Sequence, residues 1–261
     1  MVITKNYIAK GEGANRFEKI LVQIYETADE AVKAVAREIV DLVQMKAASS
    51  EKCVLGLATG VSPIKLYQEL VRMHREEGVS FRNVVAFNLD EYLPMPKESE
   101  QSYHYFMHHH LFDHIDIDPK NIHIPDGTLK GDEIDKFCRN YEKEIEAAGG
   151  IDLQILGIGR TGHIGFNEPG SFITSQTRKV FLNDLTIKDA IKDFGSRDLV
   201  PTKAITMGVG TIMQARRVIL MAWGEKKAPI IKATVEGRVS DSVPATFLQM
   251  HYLNAVAKQE R

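Results

Sequence analysis

Two acidic side chains follow an apolar run in the first half of the chain. The run Val84–Leu89 reads as a strand, and Asp90 and Glu91 come directly after it. A carboxyl group held at the end of a buried strand is shielded from water, which raises its pKa and suits a general base. The competing interpretation is that Asp90 only caps the segment that follows.

A glycine-rich segment carries the second group of reactive side chains. The sequence LGIGRTGHIGFNEP spans residues 156–169 and places His163 and Glu168 among four glycines. Glycines let the backbone approach a ligand closely. A carboxylate can orient an imidazole for acid–base chemistry, which makes His163 and Glu168 a candidate pair. The alternative is a glycine-rich loop with an incidental histidine.

Two predicted strand-to-helix junctions could hold an anion. The first junction consists of Thr59, Gly60, Val61 and Ser62. Its backbone amides and the dipole of the helix that follows would both face a negative charge. The second junction ends in Lys226 and Lys227, where a cation in the first helical turn is unfavourable unless it faces an anion. The alternatives are a plain turn with Ser62 as the N-cap, and exposed lysines.

Histidines cluster in a predicted helix shortly after Tyr103. His104 and His108 are spaced by four residues, as are His110 and His114, and this spacing suits zinc. No HExxH motif and no nearby cysteine accompany them. The sequence therefore favours a helix that turns its aromatic residues to the core and its histidines to solvent.

The elements that must position these residues alternate along the chain. Strands are predicted at 20–25, 53–58, 84–89, 121–124, 151–156, 178–182, 204–207 and 217–223. Helices are predicted at 27–47, 63–77, 132–148 and 226–235. The strands are apolar with little alternation, as in a parallel sheet covered on both faces. This order predicts a three-layer α/β/α fold with a mostly parallel, doubly wound, Rossmann-like sheet, whose ligands bind beyond the carboxyl ends of the strands.

Composition narrows the class of protein. The 261 residues carry 33 basic and 35 acidic side chains, a near-balance that gives no basic footprint for nucleic acid or a membrane surface. No run of 18 apolar residues and no signal peptide is visible. Only Cys53 and Cys138 occur, which favours a reducing cytoplasm over a disulfide scaffold. We predict a polar arm over residues 1–17 and one domain over residues 18–261.

Together these segments resemble the glucosamine-6-phosphate deaminase (glucosamine-6-phosphate isomerase) family. The resemblance is carried by LGLATGVSP, FNLDEY, SYHYFM, FDHIDI, LGIGRTGHIGFNEPGS, SQTR and AITMGVGT. It implies conversion of an amino-sugar phosphate to fructose 6-phosphate and ammonia in amino-sugar catabolism, without a metal or organic cofactor. It assigns proton transfer at C2 to Asp90 and ring opening to His163 with Glu168. The phosphate would be held by residues 59–62 and Lys227.

The sequence departs from this family at several positions. Thr161 stands where members often carry Asp, so Glu168 is expected to orient the imidazole alone. Val61 occupies a position that is commonly Gly or Ser, and Lys192 aligns with a phosphate-binding arginine in a segment expected to be mobile. Some members are activated by N-acetylglucosamine 6-phosphate; Arg178 matches that site, but Val180 replaces a lysine, so no activation is assigned.

The sequence leaves three functions open. The leading one is the deaminase; the others are a related sugar-phosphate isomerase or 6-phosphogluconolactonase-like hydrolase, and a non-catalytic sugar-phosphate sensor. Members of the family range from monomers to hexamers, so a homo-oligomer is allowed without a size being specified. The family usually continues into a final strand and helix after the position of His251, so we expect a truncated chain or one unit of a larger protein.

Overall fold

Most of the apolar strand segments assemble into one seven-stranded sheet. The computed structural model describes residues 2–3 and 20–251. In spatial order the sheet contains β2 (Val22–Gln23), β1 (Val2–Ile3), β10 (Arg217–Met221), β7 (Leu153–Leu156), β3 (Cys53–Leu57), β4 (Val84–Asn88) and β6 (Ile122–His123). The five strands from β10 to β6 run parallel, while β1 and β2 add two antiparallel pairings at one edge. The predicted fold class is confirmed.

The central strands are buried along their whole length. Every residue of β3, β4 and β7 is buried, which explains the continuous apolar runs in the sequence. The helices that cover the sheet and its loops are α1 (Ala28–Ala48), α2 (Val61–Glu77), α3 (Tyr103–His110), α4 (Glu133–Ala147), α5 (Asp184–Phe194), α6 (Val209–Gln214) and α7 (Ala228–Glu236). Within the described part of the chain, no helix combines the length and apolar character needed to cross a bilayer.

The start of α2 differs from the sequence prediction. The helix begins at Val61, two residues before Pro63, and its N-cap is Gly60 instead of Ser62. Gly60 has φ 95°, a backbone conformation that favours glycine and lets the chain turn directly from the strand into the helix. The predicted C-terminal stop is confirmed, because Gly78 adopts the left-handed conformation at the end of α2.

A second, three-stranded antiparallel sheet was not predicted. It consists of β5 (Asp90–Leu93), β9 (Lys203–Thr206) and β8 (Arg178–Phe181), in that order. The segments near 178 and 204 are strands, as predicted, but they pair with each other and with β5 outside the parallel sheet. Exposure alternates along β8, as expected for an edge strand with one wet face. This small sheet fixes Asp90 opposite Thr206.

The strand order creates a crevice at one edge of the sheet. From β3 the chain proceeds to β4 and β6 on one side, and then returns to place β7 and β10 on the other side. The connections after β3 and β7 therefore diverge, and ligands of doubly wound sheets bind at such a switch point. The predicted arm over residues 1–17 lies outside the described residues apart from Val2–Ile3, as does the chain after His251.

Candidate active site

Asp90 lies at the junction between the two sheets, just after β4. Asp90 is 5% exposed, and burial raises the pKa of its carboxyl to about 8. The neighbouring Glu91 adds to this increase, whereas a hydrogen bond from the backbone N–H of Phe166 lowers the pKa. A carboxyl with this pKa can both accept and release a proton near neutral pH, as a general base must.

The glycine-rich loop closes tightly over Asp90. A Cβ on Gly165 would lie 3.1 Å from Asp90 Oδ2 and 3.0 Å from Thr206 Oγ1. Asn167 is fully buried and holds the loop down, because its side-chain amide donates to the carbonyls of Ile164 (2.9 Å) and Met207 (2.8 Å). The structure thus brings the loop against the acid that follows β4. The role of Asn167 as this anchor was not predicted from the sequence.

His163 has two oxygen partners at one ring nitrogen. Its Nδ1 lies 2.9 Å from Thr161 Oγ1 and 3.3 Å from Glu168 Oε2. The expectation that Glu168 alone orients the imidazole is therefore wrong, because the hydroxyl of Thr161 contacts the same nitrogen at a shorter distance. With Nδ1 held in this way, Nε2 is the nitrogen left for a substrate.

Glu168 is fixed by residues of the following helix. The side-chain amide of Asn183 donates to Glu168 Oε2 at 2.9 Å, and the hydroxyl of Thr186 donates to Oε1. Burial raises the pKa of Glu168, but the hydrogen bonds and charge supplied by His163 and Thr186 outweigh it, and the net pKa falls below the usual value. Glu168 is therefore an ionised partner for the imidazole.

Gly159 provides the space that the imidazole occupies. A Cβ at this position would stand 2.0 Å from Nε2 of His163, well inside contact distance. Gly159→Ala must displace the ring, and a displacement of about 1 Å can cost on the order of 100-fold in rate. We expect a comparable loss of kcat with a nearly unchanged melting temperature. The matched control is Gly157→Ala, whose Cβ would meet no atom within 4 Å; equal losses in both variants would contradict this reason.

The predicted anion turn lies at the start of α2. Gly60 is exposed as the N-cap, no side chain caps the first turn, and Val61 is 72% exposed. The indole N–H of Trp223, just after β10, donates to the carbonyl of Ser62 at 3.0 Å and joins this turn to the segment that carries Lys227. Thr59 interacts through its hydroxyl with Tyr103 of α3.

Lys227 contacts the glycine-rich loop through its ammonium group. It lies in a short 3-10 helix, Glu225–Lys227, and its Nζ donates to the carbonyl of Ile158 at 2.6 Å. Burial lowers the pKa of its ammonium, Asp189 raises it, and the nearby charge of Lys192 lowers it further. A bound phosphate would relieve the repulsion between the two lysines. Lys192 itself is exposed and lies in α5, so the segment expected to be mobile is helical at this position.

Histidine side chains of α3 contact each other and a nearby acid. The rings of His104 and His108 stack at 4.6 Å, and His108 Nδ1 lies 2.7 Å from Asp113 Oδ1. Among the residues that the structure describes, no group of three or more histidine, cysteine or acidic side chains could hold a metal ion.

Comparison with known proteins places this geometry in a family. A family model described as glucosamine-6-phosphate isomerases/6-phosphogluconolactonase matches residues 26–256. The chain belongs to this family. A glucosamine-6-phosphate deaminase of Thermoanaerobacter sp. is 46% identical, over 84% of this chain and 85% of the relative. A deaminase of the same name from Shewanella woodyi is 50% identical, over 78% of this chain and 76% of the relative. These relatives confirm the predicted resemblance.

Solved members of the glucosamine-6-phosphate isomerase/6-phosphogluconolactonase family share the fold. A monomeric glucosamine-6-phosphate deaminase superposes with a TM-score of 0.82 at 39% identity, covering 87% of this chain and 91% of that chain. A 6-phosphogluconolactonase from Thermotoga maritima gives a TM-score of 0.63 at 24% identity, covering 83% of this chain and 89% of that chain, which shows the fold alone. A deaminase-like protein of Bacteroides thetaiotaomicron is 48% identical over 90% of this chain, and the chain spans 36% of its length.

Proposed function

We propose that this chain converts glucosamine 6-phosphate and water to fructose 6-phosphate and ammonia, as a hydrolase of a carbon–nitrogen bond that also isomerises the sugar. The observation that supports it most is the pairing of a buried, proton-binding Asp90 with the loop that carries His163 and Glu168. Relatives that carry the name glucosamine-6-phosphate deaminase support the substrate class. The reaction belongs to amino-sugar catabolism.

Ring opening is the first step and uses the imidazole. Because Nδ1 of His163 faces Glu168 and Thr161, Nε2 accepts the proton of the O1 hydroxyl as the C1–O5 bond breaks. The same nitrogen then delivers that proton to O5. The ionised Glu168 stabilises the imidazolium that exists between the two transfers.

Asp90 then moves the proton that turns an aldose into a ketose. Its carboxylate removes the proton from C2 while one proton of the C2 ammonium group passes to O1, which gives an enolamine. Asp90 then returns its proton to C1, which leaves an iminium at C2. Water adds to this carbon, and ammonia departs. No metal or organic cofactor takes part in these steps.

Phosphate binding holds the sugar for these transfers. The amides at the start of α2 and the ammonium of Lys227 supply hydrogen bonds and positive charge, and Lys192 adds charge from α5. Anchoring at C6 places C1 and C2 against Asp90 and raises the effective molarity of the reacting groups.

Two buried, unpaired cysteines are consistent with a cytoplasmic setting.

A three-substrate assay tests the proposal. The chain is incubated with glucosamine 6-phosphate, glucosamine and 6-phosphogluconolactone, and ammonia, fructose 6-phosphate and lactone hydrolysis are measured. We expect equal amounts of ammonia and fructose 6-phosphate from the first substrate, and a very low rate with glucosamine because it lacks the anchor. Faster hydrolysis of the lactone would favour the related hydrolase, and binding of glucosamine 6-phosphate without turnover would favour a sensor.

Lys227 is expected to contribute more to phosphate binding than Lys192. A charge-assisted hydrogen bond is worth about 1.5–3 kcal/mol, so Lys227→Ala should raise KM for glucosamine 6-phosphate about ten-fold or more. Lys192→Ala should raise KM less, because this side chain is exposed and cannot form the fork of an arginine. Lys226→Ala, a change at the neighbouring exposed lysine, is the matched control. An unchanged KM in Lys227→Ala would exclude this role.

A further inference from the structure

Glu91 is a buried acid that the reaction above does not use. It is 1% exposed, and its carboxyl accepts three backbone hydrogen bonds. Oε1 accepts from Tyr92 N at 2.9 Å and Tyr103 N at 3.0 Å, and Oε2 accepts from His104 N at 2.9 Å. Two of these donors belong to the first turn of α3, so Glu91 caps that helix from the neighbouring strand β5. An acid that accepts several backbone hydrogen bonds at a helix N-terminus is stabilised in its ionised form.

Asp90 stands in a different environment although it is the adjacent residue. Its carboxyl accepts one backbone hydrogen bond, from Phe166, and the charge of the adjacent Glu91 in the same buried strand raises its pKa. Two neighbouring carboxyls in a dry site do not ionise together easily, because like charges repel strongly where water is excluded. The member with more donors keeps the charge, and the other member keeps the proton.

The other titratable groups near Asp90 and Glu91 do not change which of the two acids carries the charge. Tyrosines face Asp90 from four elements, namely Tyr67 of α2, Tyr92 of β5, Tyr103 of α3 and Tyr141 of α4. Burial raises the pKa of all four hydroxyls, so they stay neutral over the working range. The negative charge of Asp126 also raises the pKa of Glu91. Burial raises the pKa of Glu91 to about 7, and the three backbone hydrogen bonds act in the opposite direction.

We infer that the two acids have separate roles: Glu91 is a positioning residue that ionises before Asp90, and its negative charge makes Asp90 the acid that binds and releases the transferred proton. The inference rests on the proposed function, because the proton in question is the one that moves from C2 to C1. The charge acts through Asp90 and touches no substrate atom. Its effect is to strengthen Asp90 as a base.

A pair of variants separates this role from helix capping. Glu91→Gln removes the charge, and Ser102→Ala removes another cap of α3, the 2.9 Å bond that Ser102 Oγ accepts from Tyr105 N. In Glu91→Gln the loss of a like charge lowers the pKa of Asp90, so the acidic limb of kcat/KM should move to lower pH. The plateau of kcat should fall about ten-fold, because a weaker base removes the C2 proton more slowly. Ser102→Ala should leave the acidic limb in place.

An unchanged acidic limb in folded Glu91→Gln, or the same displacement in both variants, would overturn the inference.

A second measurement on the unaltered protein avoids any dependence on the folding of the variant. The carboxyl carbons of Asp or Glu are labelled with ¹³C in separate samples and followed by NMR as pH rises. We expect an Asp signal, absent from Asp90→Asn, to titrate at a higher pH than every Glu signal; a Glu signal that titrates above it would overturn the inference. This readout needs no turnover, so a failure of the proposed function would be seen separately in the substrate assay.

Discussion

Asp90→Asn should lower kcat for glucosamine 6-phosphate by roughly 10²–10⁴-fold while KM changes little. The amide keeps the shape of the side chain in its buried position at the start of β5, but it cannot accept the C2 proton. The measurement is a steady-state assay of fructose 6-phosphate with the variant and the unaltered protein, with substrate affinity checked by calorimetry.

The pH profile provides the accompanying control. Because the pKa of Asp90 is about 8, kcat/KM in the unaltered protein should rise with pH through that region as the carboxyl loses its proton. The residual activity of Asp90→Asn should lack this limb. Near-normal turnover in the variant would remove Asp90 from the mechanism.

His163 and Glu168 should behave as one unit in ring opening. We expect His163→Gln and Glu168→Gln each to lower kcat/KM by about 100-fold or more, and the double variant to lose clearly less than the product of the two. The reason is the shared contact at Nδ1, where Glu168 Oε2 lies 3.3 Å away. Once the imidazole is absent, the carboxylate has nothing left to orient. A double-mutant cycle measures the coupling, and strictly multiplicative losses would contradict the pairing.

Thr161→Val provides the matched comparison for that cycle. It removes only the hydroxyl at 2.9 Å from Nδ1 and leaves the carboxylate in place. We expect a smaller loss than in Glu168→Gln, because a neutral hydroxyl stabilises an imidazolium less than a full negative charge does. A larger loss would make Thr161 the main partner of His163.

The sequence was sufficient to predict the parallel sheet and the residues that lie beside it. Apolar runs of strand length alternate with helical periods, and the strands near 53, 84, 151 and 217 each became part of the main sheet. Asp90 and His163 follow the ends of two such strands, so the rule that ligands bind beyond carboxyl ends predicted both as candidate site residues.

The antiparallel sheet was not predictable in the same way. Nothing in the local pattern at β8 or β9 distinguishes a strand that pairs in the main sheet from one that pairs elsewhere, because pairing depends on contacts far apart in sequence. Asp90 was read as a residue after a strand, whereas it begins β5 itself. The role of Glu91 as a cap depends on α3 lying against that strand, and this contact is visible only in the folded chain.

The hydroxyl contact of Thr161 was missed for a related reason. The residue was judged by charge, and a neutral side chain was discounted as a partner for an imidazole. Gly162, which follows Thr161 and has φ 80°, lets the loop turn back, so that a short side chain two positions before His163 reaches Nδ1. The short distance between the Thr161 hydroxyl and Nδ1 thus compensates in part for the absence of a carboxylate at position 161.

Burial of Asp90 and Glu91 also affects how stable the fold is at different pH values. Each carboxyl binds its proton more tightly in the native state than in the unfolded chain, where the ordinary values of 3.8 and 4.5 apply. Their contribution to the free energy of unfolding is therefore fully present below about pH 4 and is lost as pH rises through about 7 and 8. The alkaline pH range in which Asp90 is an effective base is therefore also the range in which its burial destabilises the native state. Bound substrate offsets this cost by mass action, so the protein should be best protected against unfolding when it is occupied.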